Sequence, residues 1–104
     1  MANDYKLIVL PIASADIEGI CKYISIDLAN PIATNKFIEK LEDTFQRITV
    51  FPKMYPTIKN EFIKDQSLRK ALVKNYIIFY KIDDKTIQVI RVLYSGSDYP
   101  TLLK

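Results

Sequence analysis

The chain has 104 residues and a net charge of +3, and it is 49% hydrophobic and 26% charged, which is typical of one globular domain. It contains no histidine and one cysteine, Cys21, which excludes an internal disulfide, histidine-dependent nucleophilic catalysis and histidine-ligated metal sites, so we expect no metal and no cofactor. No apolar run reaches the ~20 residues of a membrane span, and Pro11 interrupts the first one, so we expect no signal peptide and a cytoplasmic location.

The first predicted elements are a short strand and a helix. Residues 5–10 (YKLIVL) are mostly apolar and end at Pro11, which is typical of a strand. Ser14 is the predicted N-cap of the helix, with Asp16 in its first turn. One buried stripe is predicted from the helical spacing of Ile17, Ile20, Cys21, Ile24 and Leu28. We therefore expect Cys21 to be a buried, unreactive side chain.

A second helix is predicted from Asn30 to about Val50. Asn30 suits the N-cap, and Pro31 suits the first helical position because no amide donor is needed there. Its inner stripe consists of Phe37, Leu41, Thr44, Phe45 and Ile48. On its outer face, Asp43 and Arg47 form an i, i+4 pair. The short junction indicates an antiparallel helical hairpin, and residues 52–66 are predicted to be an extended connection with room for one helical turn.

Three segments rich in Val, Ile, Tyr and Phe follow, at residues 68–73, 76–82 and 86–94. We interpret them as an antiparallel meander whose second turn, residues 83–85, pairs Ile82 with Thr86. Alternation then places on one face Ile77, Phe79, Lys81, Ile87, Val89, Arg91 and Leu93. The other face carries Tyr76, Ile78, Tyr80, Gln88, Ile90, Val92 and Tyr94. Both faces are largely apolar, so each must be at least partly covered.

The order of elements, β-α-α-β-β-β, indicates an α+β fold with a single compact domain over residues 1–104. The antiparallel sheet is expected to pack against the helical hairpin, and the first strand to pair with a meander strand that the pattern does not identify. Residues 1–52 carry five Lys or Arg and seven Asp or Glu, whereas residues 53–91 carry nine and four. A basic half of this kind is typical of an ordinary solvated surface, or of a surface that binds nucleic acid or an acidic protein.

Five segments, in this order, resemble the RelE/ParE superfamily of toxins from bacterial toxin–antitoxin modules. They are YKLIVLPIASADI, YISIDLANPIA, FPKMYP, LRKALVKNYIIFYKIDD and IQVIRVLYSGSDY, and they span nearly the whole chain. The resemblance implies a type II toxin that arrests growth when free. It also implies a hetero-oligomer in which a small cognate antitoxin neutralises the toxin.

The superfamily contains RelE-like nucleases, which cleave mRNA on the ribosome, and ParE-like inhibitors of DNA gyrase. RelE-like members tend to have an arginine where this chain has Ile77, and a basic residue or histidine near the C-terminus, where it has Tyr94, Ser95, Ser97 and Asp98. An RNA-cleaving site without histidine needs other acids and bases, and Ile77 supplies no cation to stabilise a phosphate. The resemblance therefore implies DNA gyrase as the target, with no catalytic residue required.

The alternative function is a ribosome-dependent endoribonuclease that acts on mRNA. Its catalytic candidates are Arg69, Lys70, Arg91 and either Tyr94 or Tyr99. A relative that has lost toxicity and survives as a binding partner is the third possibility.

Arg69, Lys70, Arg91 and Tyr94 are also the candidate contacts to the target or the antitoxin. Arg91 is either paired with an acid such as Asp98, packed along its stem with its charged head in water, or a cation at the rim of a binding surface. Arg69 and Lys70 either protect an edge strand from aggregation or contact a partner. Tyr94 is by default a packing residue. Alternation places Arg91 and Tyr94 on opposite faces of the sheet unless a bulge intervenes.

Overall fold

The part of the chain that the computed structural model describes, residues 5–103, contains four strands and three α-helices. In chain order they are β1 (Lys6–Val9), α1 (Pro11–Lys22), α2 (Pro31–Val50), β2 (Arg69–Val73), β3 (Tyr76–Asp83), β4 (Thr86–Tyr94) and α3 (Tyr99–Leu102). A π-helical segment, Tyr23–Asp27, prolongs α1. The predicted α+β class is confirmed, and the short helix α3 is added after the last strand. No described helix is long and apolar enough to cross a membrane.

Helix α1 begins at Pro11, ahead of the predicted cap Ser14. Its N-cap is Leu10, which has an extended backbone and makes no capping bond through its side chain. Proline is favoured at the first helical position because its ring fixes φ and its missing amide would have no partner there. The Ser14 amide donates to the Leu10 carbonyl oxygen at 2.9 Å, inside the helix. The prediction of Ser14 as the cap is therefore wrong, since Pro11 both ends the strand and starts the helix.

The buried stripe of α1 changes where the helix widens into the π-helical segment. Ile24 is buried, but Leu28, the last residue of the predicted stripe, is exposed. A π turn contains more residues than an α turn, so Leu28 rotates away from the core. Cys21 is half-buried and not fully buried as predicted. Burial nevertheless raises the pKa of the Cys21 thiol, which lowers its reactivity.

The predicted limits of α2 are confirmed, and so is its N-cap. The Asn30 side chain accepts a hydrogen bond from the Ala33 amide at 3.1 Å. The inner stripe packs on the sheet, with Phe37, Leu41, Thr44 and Ile48 buried and Phe45 partly buried at its margin. On the solvent side, Asp43 and Arg47 form the predicted ion pair.

The four strands form one mixed sheet in the order β1-β4-β3-β2. The meander β2-β3-β4 is antiparallel, as predicted, but β1 runs parallel to β4, with Lys6 opposite Thr86 and Val9 opposite Val89. The expectation of an entirely antiparallel sheet is therefore wrong for β1. Its direction depends on where the chain leaves the sheet to begin α1, and the residue pattern of four residues does not record that.

The turn between β3 and β4 is shorter than predicted. Asp83 pairs with Thr86, which leaves a two-residue turn in which Asp84 has a left-handed φ of 56°. The pairing of Ile82 with Thr86 is therefore wrong by one residue. As a consequence, Ile87 and Val89 face the helices, on the side of the sheet opposite to the one predicted.

A β-bulge at Ile90 reverses this shift in the second half of β4. Val89 pairs with Tyr80 and Arg91 pairs with Phe79, so Ile90 has no partner in the ladder. From Arg91 onward, the side chains lie on the faces that alternation predicted. Two one-residue errors in register therefore cancel before the candidate site residues are reached.

Each face of the sheet is covered, as its apolar character requires. The helices cover a core of twelve buried side chains, namely Ala13, Ile24, Phe37, Leu41, Ile48, Ala71, Val73, Ile78, Tyr80, Ile87, Val89 and Val92. On the opposite face a second core contains Ile58, Ile63, Leu68, Ile77, Phe79 and Leu93, with Tyr99 and Leu103 packed against it. The α2–β2 connection and the C-terminal residues supply that cover. Residues 52–66 form turns and extended segments and contain no helical turn.

Candidate functional site and interaction surfaces

Arg91 belongs to an ion pair that fastens α1 to β4. Its Nε and Nη2 atoms donate to the two carboxylate oxygens of Asp16, at 2.7 and 2.9 Å, and the two side chains are only 17% and 14% exposed. Hydrogen bonding to Asp16 raises the pKa of Arg91, so the guanidinium stays charged. Its Nη1 atom donates to the Leu102 carbonyl oxygen at 3.3 Å. The suggested partner Asp98 is engaged elsewhere, where it accepts a hydrogen bond from the Thr101 hydroxyl at 2.8 Å.

Asp16 also completes the hydrogen bonding of β4. Strand β1 ends opposite Val89, so within residues 5–103 no strand lies beside that edge of the second half of β4. There the Val92 amide donates to Asp16 Oδ2 at 3.0 Å, and the carboxylate takes the place of a strand carbonyl. The sequence predicts for Asp16 only a place in the first turn of the helix, but α1 begins at Pro11, so Asp16 lies beyond that turn. The available signal was an acid directly before the stripe residue Ile17.

Arg69 and the buried Tyr80 hold the chain that follows α2. The Arg69 Nη1 atom donates to the carbonyl oxygens of Tyr55, at 2.6 Å, and Lys53, at 3.4 Å. The Tyr80 hydroxyl donates to the Pro52 carbonyl oxygen at 2.6 Å. Burial raises the pKa of Tyr80 to about 12, so the hydroxyl keeps its proton at neutral pH. The side chains of Arg69 on β2 and Tyr80 on β3 thus hold residues 52–55 by hydrogen bonds to the carbonyl oxygens of that segment.

The remaining candidates lie apart from one another. Lys70 is half-buried on β2, the predicted edge strand, opposite Phe79. Tyr99 packs on the Phe79 ring, with 5.2 Å between ring centroids, on the face turned away from the helices. Tyr94 is 56% exposed on the helix side. Arg91 and Tyr94 therefore lie on opposite faces, because the bulge at residue 90 precedes both of them.

An apolar groove of about 780 Å³, the α1–β4 groove, lies between α1 and the free edge of β4. Its larger lining side chains are Ile20, Tyr23, Leu28, Tyr76 and Tyr94. Tyr23, Leu28 and Tyr94 are each about half exposed. The Tyr76 ring packs edge-on against Tyr94 at 5.9 Å and against Phe37 of the core at 5.2 Å, which fixes the floor of the groove.

A second apolar surface, the α2 corner, consists of residues 50–54. Val50, Phe51 and Met54 are 54%, 62% and 53% exposed. From the sequence alone, this stretch is predicted to be the end of a helix and a connection. The available signal was the pair of bulky apolar residues Phe51 and Met54 outside every predicted stripe.

The nuclease candidates do not converge on one position. Arg91 binds a carboxylate, Arg69 binds carbonyl oxygens, and Tyr94 and Tyr99 lie on different faces of the sheet. Ile77, at the position of an arginine in RelE-like nucleases, is buried in the second core. This arrangement offers exposed apolar surfaces suited to binding macromolecules, and among the residues that the structure describes it places no acid–base pair beside a cluster of free cations.

Comparison with known proteins identifies the family. The family model described as "ParE toxin of type II toxin-antitoxin system, parDE" matches residues 7–99. The solved structure "Chromosomal ParDE TA system from P. aeruginosa" contains a chain of similar fold, with a TM-score of 0.72 and 15% sequence identity, over 89% of this chain and 98% of that chain. No curated protein matches the sequence. The resemblance to the RelE/ParE superfamily is confirmed, and the chain belongs to the ParE family of toxins of type II toxin–antitoxin systems.

Proposed function

We propose that this toxin arrests growth by inhibiting DNA gyrase and acts without a catalytic residue of its own. Membership of the ParE family supports the proposal. Within the superfamily, the ParE-like members are the inhibitors of DNA gyrase. As a type II toxin, the protein has a cognate antitoxin as its partner. The antitoxin neutralises the toxin by binding to it directly.

The observation that carries the proposal over the nuclease alternative is the engagement of Arg91. Cleavage of RNA by its 2′-hydroxyl requires a base for that hydroxyl, an acid for the leaving oxygen and cations at the phosphate. Arg91 donates two hydrogen bonds to the Asp16 carboxylate, and the Arg91 and Tyr94 side chains leave β4 on opposite faces of the sheet. A phosphate at Arg91 would have to compete with a carboxylate that already neutralises it.

Two assays with the purified toxin separate the functions. We expect the toxin to inhibit supercoiling of relaxed plasmid by gyrase, and to leave mRNA intact on translating ribosomes. Addition of the cognate antitoxin in equimolar amount should restore supercoiling. Cuts in mRNA at the ribosomal A site, with supercoiling unaffected, would instead support the endoribonuclease. A protein inactive in both assays would support a relative that has lost toxicity.

Expression in cells gives an independent ordering of events. We expect induction to stall DNA replication and to trigger the DNA-damage response before total mRNA declines. The matched control is co-induction with the antitoxin, which should abolish both effects. Loss of specific transcripts within minutes, ahead of any DNA-damage response, would overturn the proposal.

A further inference from the structure

The α2 corner presents its apolar side chains on a fixed backbone. The Phe51 amide donates to the Arg47 carbonyl oxygen at 2.8 Å, and the Met54 amide donates to the Phe51 carbonyl oxygen at 3.0 Å. From the sheet side, Tyr80 and Arg69 bind the carbonyl oxygens of residues 52, 53 and 55. The backbone is therefore held from behind, while Phe51 and Met54 remain more than half exposed. A surface ordered in advance loses little conformational freedom when a partner binds.

The charges at this corner are positive. Among the described residues that line its shallow pocket, Tyr5, Val50, Phe51, Pro52, Lys53 and Met54, the one charged side chain is Lys53. Lys85 lies next to the pocket, with its Nζ atom 5.6 Å from the centre of the Tyr5 ring. Two copies of the chain packed corner to corner would bring Lys53 against the Lys53 of the other copy, which is unfavourable. A partner with carboxylates around an apolar anchor is complementary to this corner.

We propose that the α2 corner is the surface by which the toxin docks on its protein target, and that it accepts an acidic segment with a bulky apolar side chain. The assignment rests on the proposed function, which makes that target gyrase. The α1–β4 groove shares no lining residue with the corner, so the two surfaces can bind different partners. In this arrangement Arg69 and Tyr80 are positioning residues, which act through the backbone of residues 52–55.

The first test compares the double variant Phe51→Ala/Met54→Ala with Phe62→Ala. Phe62 is 72% exposed and lies by Asp98, in a different surface pocket. We expect the double variant to need about tenfold more protein for half-inhibition of supercoiling, as for loss of an interface anchor. Phe62→Ala should inhibit like the wild type. All three proteins should have the same circular dichroism spectrum and bind the antitoxin with dissociation constants within about twofold.

The second test addresses charge. Lys53→Glu should weaken inhibition by about tenfold at low salt, and the deficit should shrink as salt is added. Lys59→Glu is the matched control, because Lys59 is also exposed and the change in net charge is the same. If both reversals weaken inhibition equally, the effect belongs to the net charge of the molecule, and the corner is not the docking surface.

The outcomes distinguish the surface from the function. A wild-type toxin that leaves supercoiling unaffected overturns the proposed function and the assignment of this partner with it. Inhibition by the wild type and by the double variant at the same concentration overturns the docking surface alone. Loss of antitoxin binding in the double variant reassigns the corner to the antitoxin. Binding of the wild type to DNA alone, lost in the double variant, replaces the acidic protein segment with nucleic acid.

Discussion

At the scale of single residues, the guanidinium groups of Arg69 and Arg91 form hydrogen bonds within the protein instead of being free to contact a partner. Arg91 joins α1 to β4 through Asp16, and Arg69 fixes the chain after α2 through the Tyr55 carbonyl oxygen. A planar guanidinium suits both tasks because its donors diverge in a fixed fork. Alanine at Arg91 is therefore expected to change the stability of the toxin more than its affinity for the proposed target.

The Asp16–Arg91 pair provides a test of this role. Asp16→Asn keeps the shape of the side chain but leaves the Arg91 guanidinium largely buried without its counter-charge. We expect the free energy of unfolding, measured with urea, to fall by about 2 kcal/mol. Asp43→Asn is the control, because its partner Arg47 is exposed and the change in stability should be too small to resolve. Equal losses in the two variants would show that the Asp16–Arg91 pair contributes no more to stability than the exposed Asp43–Arg47 pair.

The Tyr80 hydroxyl predicts a loss of stability at alkaline pH. The unfolded chain releases this proton near the ordinary tyrosine pKa of about 10, whereas in the folded protein the pKa of Tyr80 is about 12. Between these values the unfolded state binds fewer protons, so the free energy of unfolding falls as pH rises from about 10 to about 12. Unfolding at a series of pH values should show the wild type losing stability relative to Tyr80→Phe. If the free energies of unfolding of the wild type and Tyr80→Phe differ by the same amount at every pH in this range, the pKa of Tyr80 is not raised in the folded protein.

At the scale of elements, α2 is the element whose packing the sequence describes best. Asn30 caps it, Pro31 starts it, and its stripe meets the sheet as predicted. Strand β4 is the opposite case. Its turn, its bulge and its parallel neighbour β1 all depend on contacts distant in the chain.

The stripe of α2 is not uniform, which gives a graded prediction. Phe37 is 1% exposed and contacts the Tyr76 ring, whereas Phe45 is partly buried. Phe37→Ala should lower the free energy of unfolding by about 3–5 kcal/mol, because the cavity is fully enclosed. Phe45→Ala should cost clearly less, since solvent can reach the space that it leaves. Urea denaturation of both variants measures the difference, and the reverse order would mean that the stripe is rotated.

At the scale of the whole molecule, the α1–β4 groove and the α2 corner are apolar surfaces that no other described residue covers. The groove borders the second half of β4, and at the corner Phe51 is 62% exposed. Exposed apolar surface beside free strand edges is typical of a protein that is covered by a partner. This agrees with a toxin whose module includes an antitoxin.

We expect an antitoxin segment to occupy the α1–β4 groove, adding a helix or a strand and burying well over ~1,000 Å² in total. Leu28→Ala/Tyr94→Ala should weaken antitoxin binding by about tenfold or more in calorimetry, because both side chains are anchors at the groove. The same variant should inhibit the proposed target, gyrase, like the wild type. The α2 corner variant Phe51→Ala/Met54→Ala should show the opposite pattern, with weaker inhibition and unchanged antitoxin binding. Unchanged antitoxin affinity would place the antitoxin elsewhere.

The sequence by itself determined the two long helices and the four strands, but not the π-helical segment or α3. The cap at Asn30, the stripe of α2, the apolar meander and the edge strand with Arg69 and Lys70 are local patterns, and each is readable within about a dozen residues. The opposite faces of Arg91 and Tyr94 also follow from alternation, because no bulge lies between them.

Only the tertiary structure decided how those segments meet. The partner of Arg91 is Asp16, 75 positions away, and no local pattern connects the two residues. The parallel direction of β1 follows from the path of α1 over the sheet. The two-residue turn before β4 and the bulge at Ile90 together decide which side chains of β4 face the helices. The α2 corner became visible only once Tyr80 and Arg69 were seen to hold it from behind. Local periodicity specifies the faces of an element, whereas register, direction and long-range pairing are set by the packing of the whole chain.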